Sequence, residues 1–572
     1  MVRDGRGAGV TPVEALLAVL REEGVDRVFG NPGTTELPFL DALVGAEDIA
    51  YVLGVQEASV VAMADGYARA TGRPAFVSLH AAGGLANGLV GLLNASRSRT
   101  PLVVTAGQQD RRHLVQDPML SGDLVGLARA AVKHTFDVQH ADDLPVLLRR
   151  AFRLAVQPPA GPVFLSVPMD LLAESGPVEV PRVSAPVAPG VAAGVAEAAR
   201  LLASAERPAV VAGDGVGRDG AVAELVAVAE ELGAVVWHQP MNDWLDFPTA
   251  HPLYAGVPAP VNASVREALT GHDVVLIVGC HAFTPHHYSA GPAIPEGTRV
   301  VQLDTDQAEL GRTFPVHVGL VGAIGPSLRA LAERLREPDT GPEALARAAA
   351  DRTRDITARI AARRRAVDEE ARAAYGPAPF DPLAAVHAVA AGLPEEAVLV
   401  EEAITSGVLL RRVLRQTRPG SFVHTVGGGL GSGIGGATGT ALGAGGRPVV
   451  AVLGDGCALF GLQGLWSAAR YGVPVTFLVM NNGEYRTLKE TLDAWDSRAS
   501  RAGTYPGLEL FDGRGDFTRA AEFFGVPATR AATLAELTET VAKAATREGP
   551  LLVDVPVNGH ADRASAGKAG RR

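Results

Sequence analysis

The stretch GDGCALFGLQGLWSAARYGVPVTFLVMNN, residues 454–482, governs how the rest of the chain is read. An apolar run, VVAVL (449–453), stops at Gly454-Asp455-Gly456. A helical segment follows, and a second apolar run, VPVTFLVM (473–480), stops at Asn481-Asn482. Short β-rich runs on either side of a helix make a βαβ unit, whose two strands lie parallel. Asp455 and Asn482 then stand at the carboxyl ends of parallel strands, where open α/β sheets place their ligands. A carboxylate and an amide oxygen are hard donors that suit Mg²⁺ or Ca²⁺, and a Mg²⁺ with so few protein ligands completes its shell with phosphate oxygens. Gly456 lets a phosphate come close to the start of a helix. An isolated GDG is more often a plain strand-to-helix turn. The asparagine doublet, with Asn482 lying 27 residues beyond Asp455, shifts the reading to a metal-bridged diphosphate.

Working outward, the 572 residues exceed one domain, and length suggests about three or four. Apolar residues at 47% and charged residues at 20% describe a well-packed globular chain. A net charge of −11 argues against a nucleic-acid partner, which would want a basic face. The two cysteines, Cys280 and Cys457, cannot build a disulfide framework, so a reducing cytoplasm is the expected compartment. The opening MVRDGRGAGVTP has no apolar signal core, and no apolar stretch approaches about 18 residues, so a soluble, non-membrane protein is expected.

The first helix is marked by Thr11-Pro12-Val13-Glu14, a hydroxyl N-cap followed by Pro and a capping-box Glu, and ends by Gly24. A strand-like VDRVFG leads into the loop Gly30–Glu36; Gln56-Glu57-Ala58 opens another helix, and PAFVSLH ends at His80. PLVVTAG (101–107) and PVFLSVP (162–168) are further strands. This alternation predicts a doubly wound, mostly parallel α/β domain over 8–178. A Pro-rich linker (176–195) precedes a different, Rossmann-like α/β domain over 190–340, with strands RPAVVAG, AVVWH, DVVLIVG and TRVVQLD. Its GDGVG (213–217) resembles the metal motif, but Met241 stands where an asparagine would be needed. An Ala/Arg/Glu-rich exposed helix spans 341–375, a third α/β domain 376–557, and a disordered tail is expected over 558–572. Gly72-Arg73-Pro74 matches Gly446-Arg447-Pro448 at an offset of 374, and Pro101 matches Pro474 at 373, so the first and third domains read as related copies.

GDG, an intervening helix and strand, then NN resembles the cofactor motif of thiamine diphosphate enzymes. Two related α/β domains around a different middle one are similar to the superfamily of thiamine diphosphate-dependent 2-oxo acid decarboxylases and acetohydroxyacid synthases. GNPGTTELPFL (30–40), VQEASVVAMADGYA (55–68), VSLHAAGG (77–84), PLVVTAGQQ (101–109) and FTPHHY (283–288) resemble, in order, segments of the benzoylformate decarboxylase family. The resemblance implies thiamine diphosphate with Mg²⁺ or Ca²⁺, and non-oxidative decarboxylation of a 2-oxo acid to an aldehyde. Carboligation of the same intermediate with a second carbonyl compound is the alternative. It also implies a homodimer at minimum and a homotetramer as a common form, the cofactor lying between the first domain of one subunit and the third domain of another.

Residue by residue, the resemblance makes Glu57 the carboxylate that bonds the cofactor's pyrimidine. His80 and His286 become proton carriers, with neighbouring His287 and then His281 as alternatives to His286. The three histidines also invite a zinc reading, which no Cys or carboxylate spacing supports. Thr34 takes the place of an active-site serine and keeps its hydroxyl. Asp455, Asn482 and the backbone oxygen of Glu484 would hold the metal. Gly456, Cys457, Thr405 and Tyr485 would face the cofactor, as would Gly428 and Leu430 in GGGLGSG, a segment that close helix packing would equally explain. The chain departs from the family at RTLKET (486–491): Glu490 and Thr491 stand where an aromatic pair is expected, so a polar, longer or aliphatic side chain on the substrate becomes possible. No flavin site is legible in the central domain.

Overall fold

The computed structural model of the chain describes residues 10–185, 188–512 and 514–560. Positions 8–9 of the expected first domain and 561–572 of the expected tail lie outside the described residues. Three six-stranded sheets carry the fold. The first contains β1 (Arg27–Gly30), β2 (Ala50–Leu53), β3 (Ala75–Leu79), β4 (Leu102–Gln108), β5 (His134–Asp137) and β6 (Val163–Pro168). The second contains β7 (Pro208–Ala212), β8 (Val235–His238), β9 (Tyr254–Gly256), β10 (Val274–Val278), β11 (Arg299–Asp304) and β12 (Val318–Val321). The third contains β13 (Val398–Glu402), β14 (Phe422–His424), β15 (Val449–Gly454), β16 (Val475–Asn481), β17 (Ala528–Arg530) and β18 (Leu551–Pro556).

Among the described residues every strand pairing is parallel, where the sequence led to an expectation of mostly parallel sheets. Each strand reaches the next by a crossover rather than a hairpin, which is what parallel pairing demands. The first sheet runs β2-β1-β3-β4-β6-β5 and the third β14-β13-β15-β16-β18-β17, the same order counted from each domain's first strand. The central sheet, β12-β11-β10-β7-β8-β9, follows the dinucleotide-fold order instead. At its switch point the loops after β7 and β10 pack on each other: Gly215 N–H donates to the Gly279 carbonyl at 2.9 Å. Alternation along the strands feeds two cores per sheet. In β15, Val450 and Val452 join one cluster while Val449, Ala451 and Leu453 join the other.

The two related domains meet through equivalent helices, Glu57–Thr71 and Ser432–Gly443. Glycines bring the two backbones together. A Cβ at Gly439 would lie 1.8 Å from the Met63 carbonyl oxygen, and one at Gly66 would lie 2.0 Å from that of Gly436. One buried cation ties all three domains. Arg69, on the first of these helices, donates to the carbonyls of Asp243 in the central domain and His424 in the third, and its guanidinium lies 3.7 Å from the Asp243 carboxylate. The helix expected over 341–375 spans Pro342–Ala373 and is mostly exposed, burying Leu345, Ala349, Ile356, Ile360 and Ala371. At the chain's far end, Asn558 N–H donates to the Phe380 carbonyl at 2.8 Å.

Because two backbones touch at Gly439, Gly439→Ala must push the helices apart, an overpacking cost of about 1–3 kcal/mol. The thermal unfolding midpoint of the variant is expected to fall by several degrees, whereas Gly445→Ala, on a turn with no neighbour within 4 Å of a new Cβ, tests the cost of its positive φ of 61° alone.

Candidate active site

β15 and β16 are hydrogen-bonded neighbours, with Gly454 opposite Met480, so the residues just beyond them come together. Asp455 opens the helix Asp455–Gly461 and is buried. One carboxylate oxygen accepts the Gly456 N–H at 2.8 Å; the other accepts the N–H groups of Asn482 and Gly483 at 2.9 and 2.6 Å. Gly483, at φ 76°, makes the turn that presents both. The Asn482 side-chain oxygen accepts the Glu484 N–H at 3.0 Å, which fixes the amide's direction. Burial pushes the Asp455 carboxyl up to about 6, against the pull of those three N–H bonds. Asn481, by contrast, completes β16 and spends its amide on the Gly515 carbonyl and Asp554.

These residues fit a divalent ion holding a diphosphate. Asp455 and Asn482 offer hard oxygens beside a helix N-terminus, the donor set that leaves room for phosphate oxygens on Mg²⁺. The Glu484 side chain is engaged elsewhere, ion-paired with buried Lys489 and accepting the His560 N–H, so only its backbone oxygen remains for a metal. Among the described residues no group of three or more His, Cys, Asp or Glu is arranged to hold a metal ion. The donor set here is of a different composition. Gly456 is packed so closely that a Cβ would meet the Tyr485 ring at 2.7 Å. Cys457 is buried, and burial pushes its thiol well above its ordinary value, so it packs as a neutral thiol. Thr405 lies half-buried in the first turn of the helix Ile404–Val413, while Gly428 is exposed and Leu430 half-buried in the loop before Ser432–Gly443.

Glu402, at the end of β13, anchors that glycine loop. Its carboxylate accepts the N–H groups of Gly431, Ser432 and Gly433 at 2.9, 3.1 and 2.8 Å, and burial pushes it up to about 7.

The first domain assembles a second cluster. Gln56 caps the helix Glu57–Thr71, leaving Glu57 in its first turn as a buried residue, 8% exposed. Asn31 and Asn87 donate their amides to its two oxygens at 3.2 and 3.1 Å. His80 follows β3 and precedes the helix Ala81–Arg97; its Nδ1 lies 3.0 Å from both the Glu36 carboxylate and the Thr35 hydroxyl. Glu36, itself buried, also accepts the N–H groups of Gly33 and Gly107 at 2.9 and 3.1 Å. Gly33 has no room for a side chain, because a Cβ would strike the His80 ring at 2.2 Å. Thr34 is exposed, whereas its neighbour Thr35 is fully buried and holds the contact to His80.

His286 sits on an exposed central-domain loop, its Nδ1 3.0 Å from Nε2 of His287. His281 points instead to Glu309, at 2.6 Å. The central GDG is internal: Asp214 accepts the Asp243 N–H at 2.8 Å and the Gln239 amide, and burial pushes it up to about 8. Among the described residues no hydrogen bond joins the Glu57–His80 cluster to the Asp455–Asn482 cluster within one chain. Thr35, Glu36, Asn31, Asn87 and Glu402 were not singled out from sequence. The first three lie inside the quoted GNPGTTELPFL loop, and Glu402 adjoins Thr405. Asn87 carries no local signal.

The thiamine pyrophosphate enzyme family matches the chain in three parts. Its N-terminal TPP binding domain matches residues 10–140, its central domain 195–331 and its C-terminal TPP binding domain 405–555. Benzoylformate decarboxylase of Pseudomonas aeruginosa is 37% identical over 546 residues, covering 94% of this chain and 97% of that protein. The acetolactate synthase large subunit of Parasynechococcus marenigrum is 28% identical over 573 residues, covering 96% and 88%. A thiamine diphosphate-dependent 4-hydroxybenzoylformate decarboxylase from Rhodococcus jostii RHA1 superposes with a TM-score of 0.83 at 32% identity, covering 96% of this chain and 99% of that one. Benzoylformate decarboxylase from Polynucleobacter necessarius superposes equally well, with a TM-score of 0.83 at 29% identity over 96% and 99%. With both TPP binding domains and the central domain matched along one chain, the protein belongs to the thiamine pyrophosphate enzyme family and is a homologue of its benzoylformate decarboxylases.

Proposed function

We propose that this protein is a Mg²⁺- and thiamine diphosphate-dependent carboxy-lyase that releases CO₂ from a 2-oxo acid related to benzoylformate and leaves an aldehyde. The observation that carries the reading is the buried Glu57, held by two amides in a domain of the pyrimidine-binding kind. The family's cofactor supplies an electron sink beside the substrate carboxylate. Everything else falls to the chain. Asp455, Asn482 and the Glu484 backbone oxygen would hold the metal and diphosphate. Glu57, kept in place by Asn31 and Asn87, would hold the proton shared with the pyrimidine. His80, oriented by Glu36 and Thr35, and His286, beside His287, would carry protons to and from the reacting carbon. The Thr34 hydroxyl, exposed beside buried Thr35, would bind the substrate carboxylate.

The match to both TPP binding domains supports a site shared between the first domain of one copy and the third domain of another, as the family resemblance implies, with a dimer as the smallest working unit and a tetramer as its doubled form. Both cysteines are free and buried, which suits a reducing cytoplasm. Among the described residues no helix is long and apolar enough to cross a membrane. Similarity to acetolactate synthases favours carboligation as a second reading. Measuring CO₂ and acyloin from several 2-oxo acids, with and without added aldehyde, separates the two.

Glu57→Gln is expected to lower kcat for CO₂ release by about 10²–10⁴-fold, and an unaltered rate would refute the assignment. Asp455→Asn keeps the shape but gives up acceptor capacity. Its unfolding midpoint should drop even without ligand, and the rise that thiamine diphosphate with Mg²⁺ gives the unmodified protein should vanish. Each variant alone should turn over substrate at only a small fraction of the unmodified rate. Co-expressed, they should recover about a quarter of the intact sites if each site spans two subunits, and none if it lies within one.

A further inference from the structure

The glycine loop that leads into the helix Ser432–Gly443 is held from two sides. Glu402, within the third domain, takes the N–H groups of Gly431, Ser432 and Gly433 at its far end. The nearer part is gripped by the first domain. Asn94, buried on the helix Ala81–Arg97, accepts the Gly429 N–H at 3.0 Å and donates to the Gly429 carbonyl at 2.8 Å. It also donates to the Ser432 hydroxyl oxygen at 2.7 Å. One side-chain amide thus satisfies both backbone groups of a residue 335 positions away, as a neighbouring strand would. The glycines make room for it. A Cβ at Gly427 would meet Asn94 Oδ1 at 2.3 Å, and one at Gly429 would meet Val90 of the same first-domain helix at 2.4 Å. Gly428, between them, is exposed at φ 80° with nothing within 4 Å of a new Cβ. The residue expected to face the cofactor's pyrimidine is therefore the open crest of a loop whose flank Asn94 fixes.

The same helix carries other parts of the site. His80 is its N-cap, Asn87 donates to Glu57, and Asn94 follows. Successive members lie seven residues apart, about two helical turns, so they form one stripe along the helix. Asn94 differs from the other two in where its bonds go: all three of its side-chain hydrogen bonds cross to the third domain. A leucine would fill the same volume without them. Burying an amide there is repaid only by the loop that it holds.

We infer that Asn94 is a positioning residue for the cofactor, fixing the glycine loop that meets the pyrimidine in the site to which its own third domain belongs. The inference rests on the thiamine diphosphate reading and deepens it. With sites shared between copies, that site is the one opposite to the site served by its own Glu57. The helix Ala81–Arg97 then has a part in each.

Calorimetric titration of the full chain, with Mg²⁺ present, compares thiamine diphosphate with inorganic pyrophosphate, which lacks the pyrimidine. Asn94→Leu should weaken binding of thiamine diphosphate by about tenfold more than binding of pyrophosphate. Ser432→Ala, which removes one of the three bonds, should shift the same ratio in the same direction by less, and serves if the leucine variant fails to fold. A hybrid of Glu57→Gln and Asp455→Asn chains, isolated through two different tags, assigns the site. Its one intact site joins the first domain of the Asp455→Asn chain to the third domain of the Glu57→Gln chain. Asn94→Leu added to the Glu57→Gln chain should raise the thiamine diphosphate concentration for half-maximal CO₂ release by about tenfold more than when added to the Asp455→Asn chain. Equal weakening of both ligands overturns the inference, because Asn94 then only supports the fold. An equal or larger effect from the Asp455→Asn chain, or a hybrid without turnover, overturns the assignment to the opposite site. Uptake of neither ligand by the unmodified protein overturns the thiamine diphosphate reading as well.

Discussion

One buried carboxylate accepting three backbone N–H groups organises the third domain's working end. Asp455 leaves β15 and receives the amides of Gly456, Asn482 and Gly483, so it stitches one strand end to the next. Hydrogen bonds to a charged acceptor contribute about 1.5–3 kcal/mol each, enough to hold a loop whose conformation leaves the Asn482 oxygen beside the same carboxylate. The arrangement costs desolvation, visible in the raised Asp455 carboxyl. A divalent ion would relieve that cost. Glu402 repeats the device one strand away, holding the glycine loop by three N–H groups.

A second constraint sets the first and third domains against each other. Equivalent helices from equivalent sheets touch backbone to backbone, which only glycine at positions such as 66 and 439 permits. Arg69 then spans to the central domain, donating to Asp243 and His424. A buried guanidinium with fixed carbonyl partners costs little entropy per bond formed and leaves few alternative placements. The domains are therefore locked along the helix Glu57–Thr71, with Arg69 in its last turn and Glu57 in its first, while the long helix Pro342–Ala373 bridges from outside.

The first-domain cluster shows how position follows from sheet order. β1 and β3 are direct neighbours, with Gly30 opposite Ser78. The loop after β1 and the residue after β3 must then meet, which brings Glu36 and Thr35 to His80. The same Glu36 takes the Gly107 N–H at the end of β4, so three successive strand ends share one acid. His80 is thereby oriented by a partner 44 positions away, and its ring fills space that Gly33 leaves vacant. The Glu57 pocket is built likewise, from Asn31 on one loop and Asn87 on the following helix.

The sequence by itself determined the parts whose chemistry is local: the βαβ unit around Asp455 and Asn482, the helix starts at Thr11 and Gln56, the strand ends at His80 and Asn482, and the spacing that relates the outer domains. Strand alternation and capping are written in a few consecutive residues, so they survive without knowledge of neighbours. Tertiary structure alone decided which side chains share a pocket: Glu36 with His80, Asn87 with Glu57, Glu402 under the glycine loop, and Arg69 between Asp243 and His424. Those meetings depend on strand order and on helices from different domains, and a contact between residues dozens or hundreds of positions apart leaves no pattern in either segment.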